Sequence, residues 1–180
     1  MASDDATLID ELATPHRAGR AYKALKARGA AATAALVRGL RHESADARYH
    51  CCRLLDRSLT SDALGPLIDM LDDPDERVRY TALHSLSCDR CKDDVCLPTD
   101  GPPLAKALEL LAADPSAHVR AHAIEAVGRS AHEDDAALAA IERASIVDPS
   151  AAVRKKARWY APGGPVYRRT APRTRAAARA

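Results

Sequence analysis

The sequence lacks phenylalanine and has few aromatic residues of any kind. Its 180 residues include five tyrosines and one tryptophan, against 39 alanines. Strands favour aromatic and β-branched side chains, whereas alanine is the strongest helix former. This composition therefore excludes a β-sandwich or β-barrel and predicts closely packed helices. A chain of this length can bury a core as one compact domain or two small ones.

Long apolar runs are absent as well. No stretch approaches the roughly 20 apolar residues that a helix needs to cross a bilayer, so the sequence predicts no transmembrane helix. The first five residues, Met-Ala-Ser-Asp-Asp, contain neither the basic nor the apolar segment of a secretory signal. We therefore expect a cytoplasmic protein that does not enter a membrane.

The charge of the chain is balanced overall but unevenly distributed. The whole sequence carries a net +2, yet the first 148 residues carry −7 and the last 32 carry +9. An asymmetry of this kind is typical of an arm that binds nucleic acid or an acidic partner. It is also typical of a solvated terminus rich in arginine and alanine, and the sequence leaves both interpretations open.

An internal repeat is the most informative pattern in the sequence. Three segments carry Asp-Pro, then Val-Arg, then an alanine three residues after that arginine, with the arginines at Arg79, Arg120 and Arg154. A degenerate fourth copy contains Arg48. An amphipathic stretch precedes each Asp-Pro, and the proline ends that helix and suits the first turn of the next one. Copies spaced by 31 to 41 residues predict an all-α solenoid of about four stacked helix pairs.

These residues resemble the HEAT repeat, an antiparallel helix pair with an Asp-Pro turn and a Val-Arg near the start of its second helix. Bilin lyases share this repeat type. The resemblance covers residues 29–161, with capping helices expected in residues 1–28 and a basic, disordered tail in residues 162–180. Nothing beyond the repeat itself indicates a bilin pocket. The resemblance implies a structural ladder in which turn aspartates pair with helix arginines: Asp73 with Arg79, Asp114 with Arg120, and Asp148 with Arg154.

Residues 88–99 form an insertion in the repeat array that is rich in cysteine. Cys88, Cys91 and Cys96 have C-x2-C-x4-C spacing, which in an intracellular chain is more typical of metal binding or redox chemistry than of disulfides. A tetrahedral zinc site needs a fourth ligand, and His84 and Cys52 are the candidates.

Other interpretations of the cysteines remain open. Cys51 and Cys52 align with alanine, leucine and isoleucine positions of the other repeats, which predicts that they pack in the core. The three cysteines of the insertion bind zinc or an iron–sulfur cluster, or they are free thiols, or Cys88 and Cys91 form a redox-active pair. The sequence establishes no cofactor; zinc is the candidate, with an iron–sulfur cluster as the alternative.

The C-terminal end of the array alternates aromatic and basic residues. Aromatic rings can stack on bases and arginine can pair with phosphate, so this composition suits nucleic acid. Alternatively, Trp159 and Tyr160 cover the apolar face at the end of the last repeat. The candidate binding residues are Lys155, Arg158, Trp159, Tyr160, Tyr167, Arg168 and Arg169.

Familiar catalytic motifs are missing. The chain contains no G-x-S-x-G, no P-loop and no dinucleotide-binding fingerprint, so no residue is assigned a catalytic role. We expect a non-catalytic scaffold or adaptor that binds a partner protein through its repeats. The alternatives are a nucleic-acid or ribonucleoprotein binder that uses the basic C-terminal end, and a zinc or iron–sulfur protein that uses the cysteine insertion.

Overall fold

The computed structural model describes residues 4–87 and 102–172. All regular structure in these two ranges is helical, which confirms the predicted all-α class. The chain forms two compact units, Met1–Pro98 and Thr99–Ala180, called here the first and the second unit. None of the described helices is long and apolar enough to cross a membrane.

The first unit is built from helices that pack side by side along the chain. Helix α3 packs against α4, α5 against α6, and the two second helices of these pairs, α4 and α6, against each other. Short 3-10 helices precede α3 (Gly29–Ala32) and follow α5 (Met70–Asp72). The α-helices are α1 (Asp5–Leu12), α2 (Pro15–Arg28), α3 (Thr33–Gly39), α4 (Ala45–Leu55), α5 (Ser61–Asp69) and α6 (Glu76–Ser87).

Local sequence accounts for the ends of the N-terminal helices. The carboxylate of Asp4 caps α1 by accepting a hydrogen bond from the Thr7 amide at 2.7 Å. Pro15 occupies the first turn of α2, where its missing N–H costs no hydrogen bond. Helix α2 ends at Gly29, whose φ of +54° is easily adopted only by glycine. Helices α1 and α2 thus occupy the residues for which the sequence predicts a cap.

The second unit repeats the same arrangement. Helix α7 packs against α8, α9 against α10, and the second helices α8 and α10 against each other. The helices are α7 (Pro102–Ala113), α8 (Ala117–Ser130), α9 (Asp135–Val147), α10 (Ala151–Tyr160) and α11 (Pro165–Thr170).

Residues at equivalent repeat positions occupy the cores of both units. The valine that precedes the ladder arginine and the alanine three residues after that arginine are completely buried in three successive copies. Small alanines at this point let neighbouring helices approach closely, so the core forms without any phenylalanine. The valines are Val78, Val119 and Val153, and the alanines are Ala82, Ala123 and Ala157.

The prediction of a disordered tail over residues 162–180 is wrong for its first part. Residues 165–170 form α11, which begins with Pro165 in its first turn. The ring of Tyr167 stacks on His132 with 4.1 Å between centroids, and His132 Nε2 lies 3.1 Å from the Tyr167 carbonyl oxygen. Composition could not reveal this contact, because it joins residues 35 apart in sequence. Residues 173–180 and the cysteine insertion at 88–99 lie outside the described residues.

Candidate interaction surfaces

Each ladder arginine first binds the backbone of its own Asp-Pro turn. Arg79 Nη1 donates to the carbonyl oxygens of Asp73 at 2.8 Å and Pro74 at 3.1 Å. Arg120 Nη1 donates to the carbonyls of Asp114 and Pro115 at 2.8 and 3.2 Å. The Nη1 atom of Arg154 donates in the same way to the carbonyls of its own turn, Asp148 and Pro149. The three arginines therefore occupy equivalent sites.

For two of the three turn aspartates, Asp73 and Asp148, the predicted arginine partner of the carboxylate is wrong by one repeat. The Asp73 carboxylate accepts hydrogen bonds from Arg48 of the preceding copy, at 2.6 Å from Nε and 3.0 Å from Nη2. The Asp148 carboxylate binds Arg120 in the same two-pronged way, at 2.8 and 3.0 Å. Arg48 and Arg120 thus direct Nε and Nη2 at the carboxylate of the Asp-Pro turn that follows in the chain.

Electrostatics keeps both partners of these pairs charged. Burial by itself would raise the pKa of Asp148, but hydrogen bonds from Arg120 and from the Ser150 amide outweigh it, and the pKa lies below the ordinary 3.8. The hydrogen bond to Asp73 raises the pKa of Arg48, although burial acts in the opposite direction. Each of these charges is therefore already compensated by its partner in the ladder.

Of the predicted metal ligands, the structure describes only Cys52 and His84. Cys51 and Cys52 are completely buried, and burial raises the pKa of Cys51 to about 12 and also raises the pKa of Cys52. Both cysteines therefore pack in the core, as their repeat positions predict. His84 Nε2 lies 3.8 Å from the Asp56 carboxylate.

The described ranges contain no group of three or more His, Cys, Asp or Glu side chains arranged to hold a metal ion. Cys88, Cys91 and Cys96 lie outside the described residues. Metal binding thus has no support in the part of the chain that the structure describes.

The candidate binding residues at the C-terminal end are only partly available. The Tyr160 ring packs on Gly128 so closely that a Cβ there would overlap it, and the Tyr167 ring stacks on His132. Trp159 remains 43% exposed, and the Lys155 ammonium lies 5.9 Å from the centroid of its ring. Arg158, Arg168 and Arg169 are exposed beside these rings. One aromatic ring of three is therefore presented at the surface.

A groove that the sequence did not predict lies between α7 and α9 of the second unit. Its volume is about 520 Å³. Five of its twelve lining residues are alanines, α9 contributes Arg143 and Val147, and the ladder residues Asp114, Arg120 and Asp148 also line it. The large apolar side chains with the highest exposure among the described residues are Ile146 at 73%, Val147 at 62% and Trp159. Exposed apolar residues next to a groove are typical of a surface that a partner covers.

A second surface combines aromatic and basic side chains in the first unit. The Arg53 guanidinium of α4 lies 5.1 Å from the ring centroid of Tyr22 on α2 and 5.5 Å from that of Tyr49. His50 packs against both tyrosine rings, at 5.7 and 5.1 Å between centroids. Burial and the positive charge of Arg53 lower the pKa of His50 below the ordinary 6.5. The sequence contains one hint of this surface, because the aromatic residue Tyr49 directly follows the ladder residue Arg48.

Comparison with known proteins identifies the repeat. Residues 33–109 match the family model of HEAT repeats. No curated protein sequence matches the chain. Among solved structures, the chain is similar to the complex of CpcE and CpcF of phycocyanin lyase from Nostoc sp. PCC7120. The identity is 23% and the TM-score 0.68, and the match covers 85% of this chain and 95% of that chain.

The likeness to a lyase corrects one expectation. Because the sequence lacks familiar catalytic motifs, it predicts that the chain is not an enzyme. The comparison contradicts this prediction, because the similar solved structure is part of a lyase. At 23% identity the likeness establishes the fold, and the same fold can carry different functions. The resemblance to HEAT repeats and the solenoid class are confirmed. Residues 33–109 therefore carry HEAT repeats, and the fold belongs to the all-α solenoid class.

Proposed function

We propose that the chain binds a partner protein through the groove between α7 and α9 of the second unit. The observation that carries this proposal is the exposure of Ile146 and Val147, at 73% and 62%, beside a groove of about 520 Å³. Covering a fully exposed side chain of this size contributes about 1.5–3 kcal/mol, so the two residues offer roughly 3 kcal/mol to a partner. That is a sizeable share of a micromolar affinity, which corresponds to about 8 kcal/mol.

The lining of the groove defines the chemistry of the partner. The alanine walls leave room for an apolar side chain, and Arg143 stands exposed at the rim. Among the described residues no ion pair engages Arg143, whereas Arg120 and Lys156 of the same unit are paired. A partner segment that carries an apolar side chain next to a carboxylate fits both features.

Two further points support a partner of the protein class. The similar solved structure is itself a complex of two chains, CpcE and CpcF. Stacked helix pairs present extended surfaces that other helical-repeat proteins use for binding.

The test begins with the full-length chain as bait in an extract of its native host, followed by mass spectrometry and purification of the captured protein. Binding of that protein is then measured for wild type, Val147→Asp and the control Ala152→Asp. The control places the same carboxylate at an exposed position of α10, outside the groove. We expect Val147→Asp to weaken binding at least about tenfold, since it places a carboxylate in the apolar contact and within reach of Arg143, where it competes with the partner's carboxylate. Ala152→Asp should bind like wild type. Unchanged binding of folded Val147→Asp would refute the proposal.

Nucleic-acid binding at the C-terminal end is a second candidate. It is favoured by the half-exposed ring of Trp159 next to Lys155 and the exposed Arg158. A gel shift with single-stranded RNA that weakens with salt and is lost in Trp159→Ala would support it, because both phosphate contacts and base stacking would then be involved. No shift at low salt would end this candidate. We prefer the groove because Tyr160 and Tyr167 are engaged in packing.

A further inference from the structure

A cavity of about 250 Å³ lies in the first unit, where the ends of α2 and α4 meet. Its floor is apolar and is formed by Leu25, Leu36 and Leu54, and the backbone of the 3-10 helix that follows α2 closes one side. Polar side chains complete the lining: Tyr22, Lys26, Arg53, Arg57 and Ser58. The cavity belongs to the first unit alone and is independent of the groove in the second.

The charges around this cavity all have one sign. Lys26, Arg53 and Arg57 line it, and its lining contains no carboxylate. Other basic residues of the first unit are paired with acids, for example Arg20 with Glu11. In contrast, no ion pair among the described residues involves Lys26, Arg53 or Arg57. The Arg53 guanidinium instead lies over aromatic rings, 5.1 Å from the centroid of the Tyr22 ring.

The negative ends of two helix dipoles balance only part of this positive charge. The cavity lies at the C-terminal ends of α2 and α4, and each helix end carries about half a negative charge. The two ends together therefore offset about one of the three cations, which leaves an excess of about two positive charges. Basic residues that only balanced helix ends would not need to surround a pocket with an apolar floor.

We propose that this cavity binds a small phosphomonoester. The phosphate group, with close to two negative charges at neutral pH, lies among Lys26, Arg53 and Arg57, and the organic group rests on the leucine floor. Guanidinium groups bind phosphate oxygens through paired hydrogen bonds, and an ammonium adds a mobile point charge. The volume of about 250 Å³ equals roughly eight waters at about 30 Å³ each, which restricts the ligand to one small ring or chain beyond the phosphate.

The proposal is tested by calorimetry on the full-length chain with phenyl phosphate as the probe. Inorganic phosphate and phenol are titrated in parallel, because they separate the contribution of the anion from that of the organic group. We expect phenyl phosphate to bind at least about tenfold more tightly than inorganic phosphate, phenol not to bind detectably, and the affinity to fall as salt is raised. Equal affinity for phenyl phosphate and inorganic phosphate would overturn the phosphomonoester assignment in favour of a free phosphate site.

Variants test whether the cavity is the site. Lys26→Gln and Arg57→Gln each remove one cation from the lining, whereas Lys23→Gln removes an exposed cation of α2 that does not line the cavity. We expect either of the first two to weaken phenyl phosphate binding about tenfold or more and the control to stay within about twofold of wild type. An equal loss in all three would identify nonspecific attraction, and no measurable binding by wild type at millimolar probe would refute the proposal. Circular dichroism confirms that each variant is folded.

Discussion

Replacing Asp148 by asparagine tests the idea that the ladder stabilises the repeats. The Asp148 carboxylate accepts two hydrogen bonds from Arg120, at 2.8 and 3.0 Å, and one from the Ser150 amide at 2.8 Å. Only 9% of the Arg120 side chain and 4% of the Asp148 side chain are exposed. Asparagine preserves the shape and one acceptor oxygen, but its amide group turns a donor toward the Arg120 guanidinium.

The expected cost follows from this burial. Removing one partner of a buried ion pair typically costs about 3–5 kcal/mol, because the other charge remains buried without compensation. Asparagine retains one acceptor and Arg120 keeps its bonds to the carbonyls of Asp114 and Pro115, so we expect about 3 kcal/mol, at the low end. With a urea dependence of about 2 kcal/mol per molar, the unfolding midpoint should fall by about 1.5 M.

The single tryptophan makes this measurement specific. Trp159 is the only tryptophan of the chain and lies in the second unit, so its fluorescence reports urea unfolding of the unit that contains Asp148. The matched control is Glu109→Gln, which removes the carboxylate that Lys106 contacts at 3.0 Å. Glu109 is 67% exposed, and exposed pairs contribute about 0–1 kcal/mol. If Asp148→Asn costs no more than this control, the argument from the ladder is refuted.

The pH dependence supplies an independent check. The pKa of Asp148 in the folded protein is below the ordinary 3.8, so its charged form stabilises the fold fully above that value. This stability is lost as the pH falls through the lower pKa of the folded state. The difference between wild type and Asp148→Asn should therefore be constant from neutral pH to about pH 5 and shrink in stronger acid. A difference that persists unchanged in acid would point to packing in place of charge.

Three other predictions concern the first unit. Gly39→Ala should lower the free energy of unfolding in urea by about 1–3 kcal/mol, because the added Cβ would lie 2.6 Å from Cys51 Sγ. The double variant with Cys51→Ala should recover part of this loss, and additive losses would contradict the prediction. Cys51 and Cys52 should resist alkylation by iodoacetamide at about pH 8 until the protein is unfolded, because burial hides both thiols and raises their pKa. Mass spectrometry of a variant with the other three cysteines changed to serine would measure this. Burial and Arg53 lower the pKa of His50 below 6.5, so stability should fall as the pH drops from 6.5 through the folded-state pKa. His50→Gln should lose that part of the pH dependence, and identical urea midpoints against pH in both proteins would refute it.

The repeat pattern predicts the cores well because it encodes local chemistry. Val78, Val119 and Val153 are completely buried as their shared position requires, since each second helix begins two residues after the proline of its turn. The ladder pairing could not be derived in the same way. Arg120 lies six residues from Asp114 and 28 from Asp148, and identical repeats do not reveal which aspartate its Nε edge faces. That choice depends on how neighbouring turns stack.

The candidate sites were harder to predict because they depend on contacts between distant residues. The cavity of the first unit combines Lys26 of α2 with Arg57, which follows α4. Basic residues near helix ends look like ordinary charge compensation in a sequence. Only the packing of the two helix ends places these cations around a shared apolar floor. Tyr167 illustrates the same limit, since its partner His132 is far away in the sequence.

The folding of the repeat does not account for the exposed apolar residues of α9. Val147 directly precedes Asp148, and the equivalent positions before the other turn aspartates are Asp72 and Ala113. All three positions are exposed, and the fold accepts aspartate at one of them, so the repeat does not require an apolar residue there. Packing within the repeat therefore does not explain why an exposed valine follows the exposed Ile146 beside a groove. Since an exposed apolar pair lowers solubility without stabilising the fold, a partner that covers it gives the pair a physical reason.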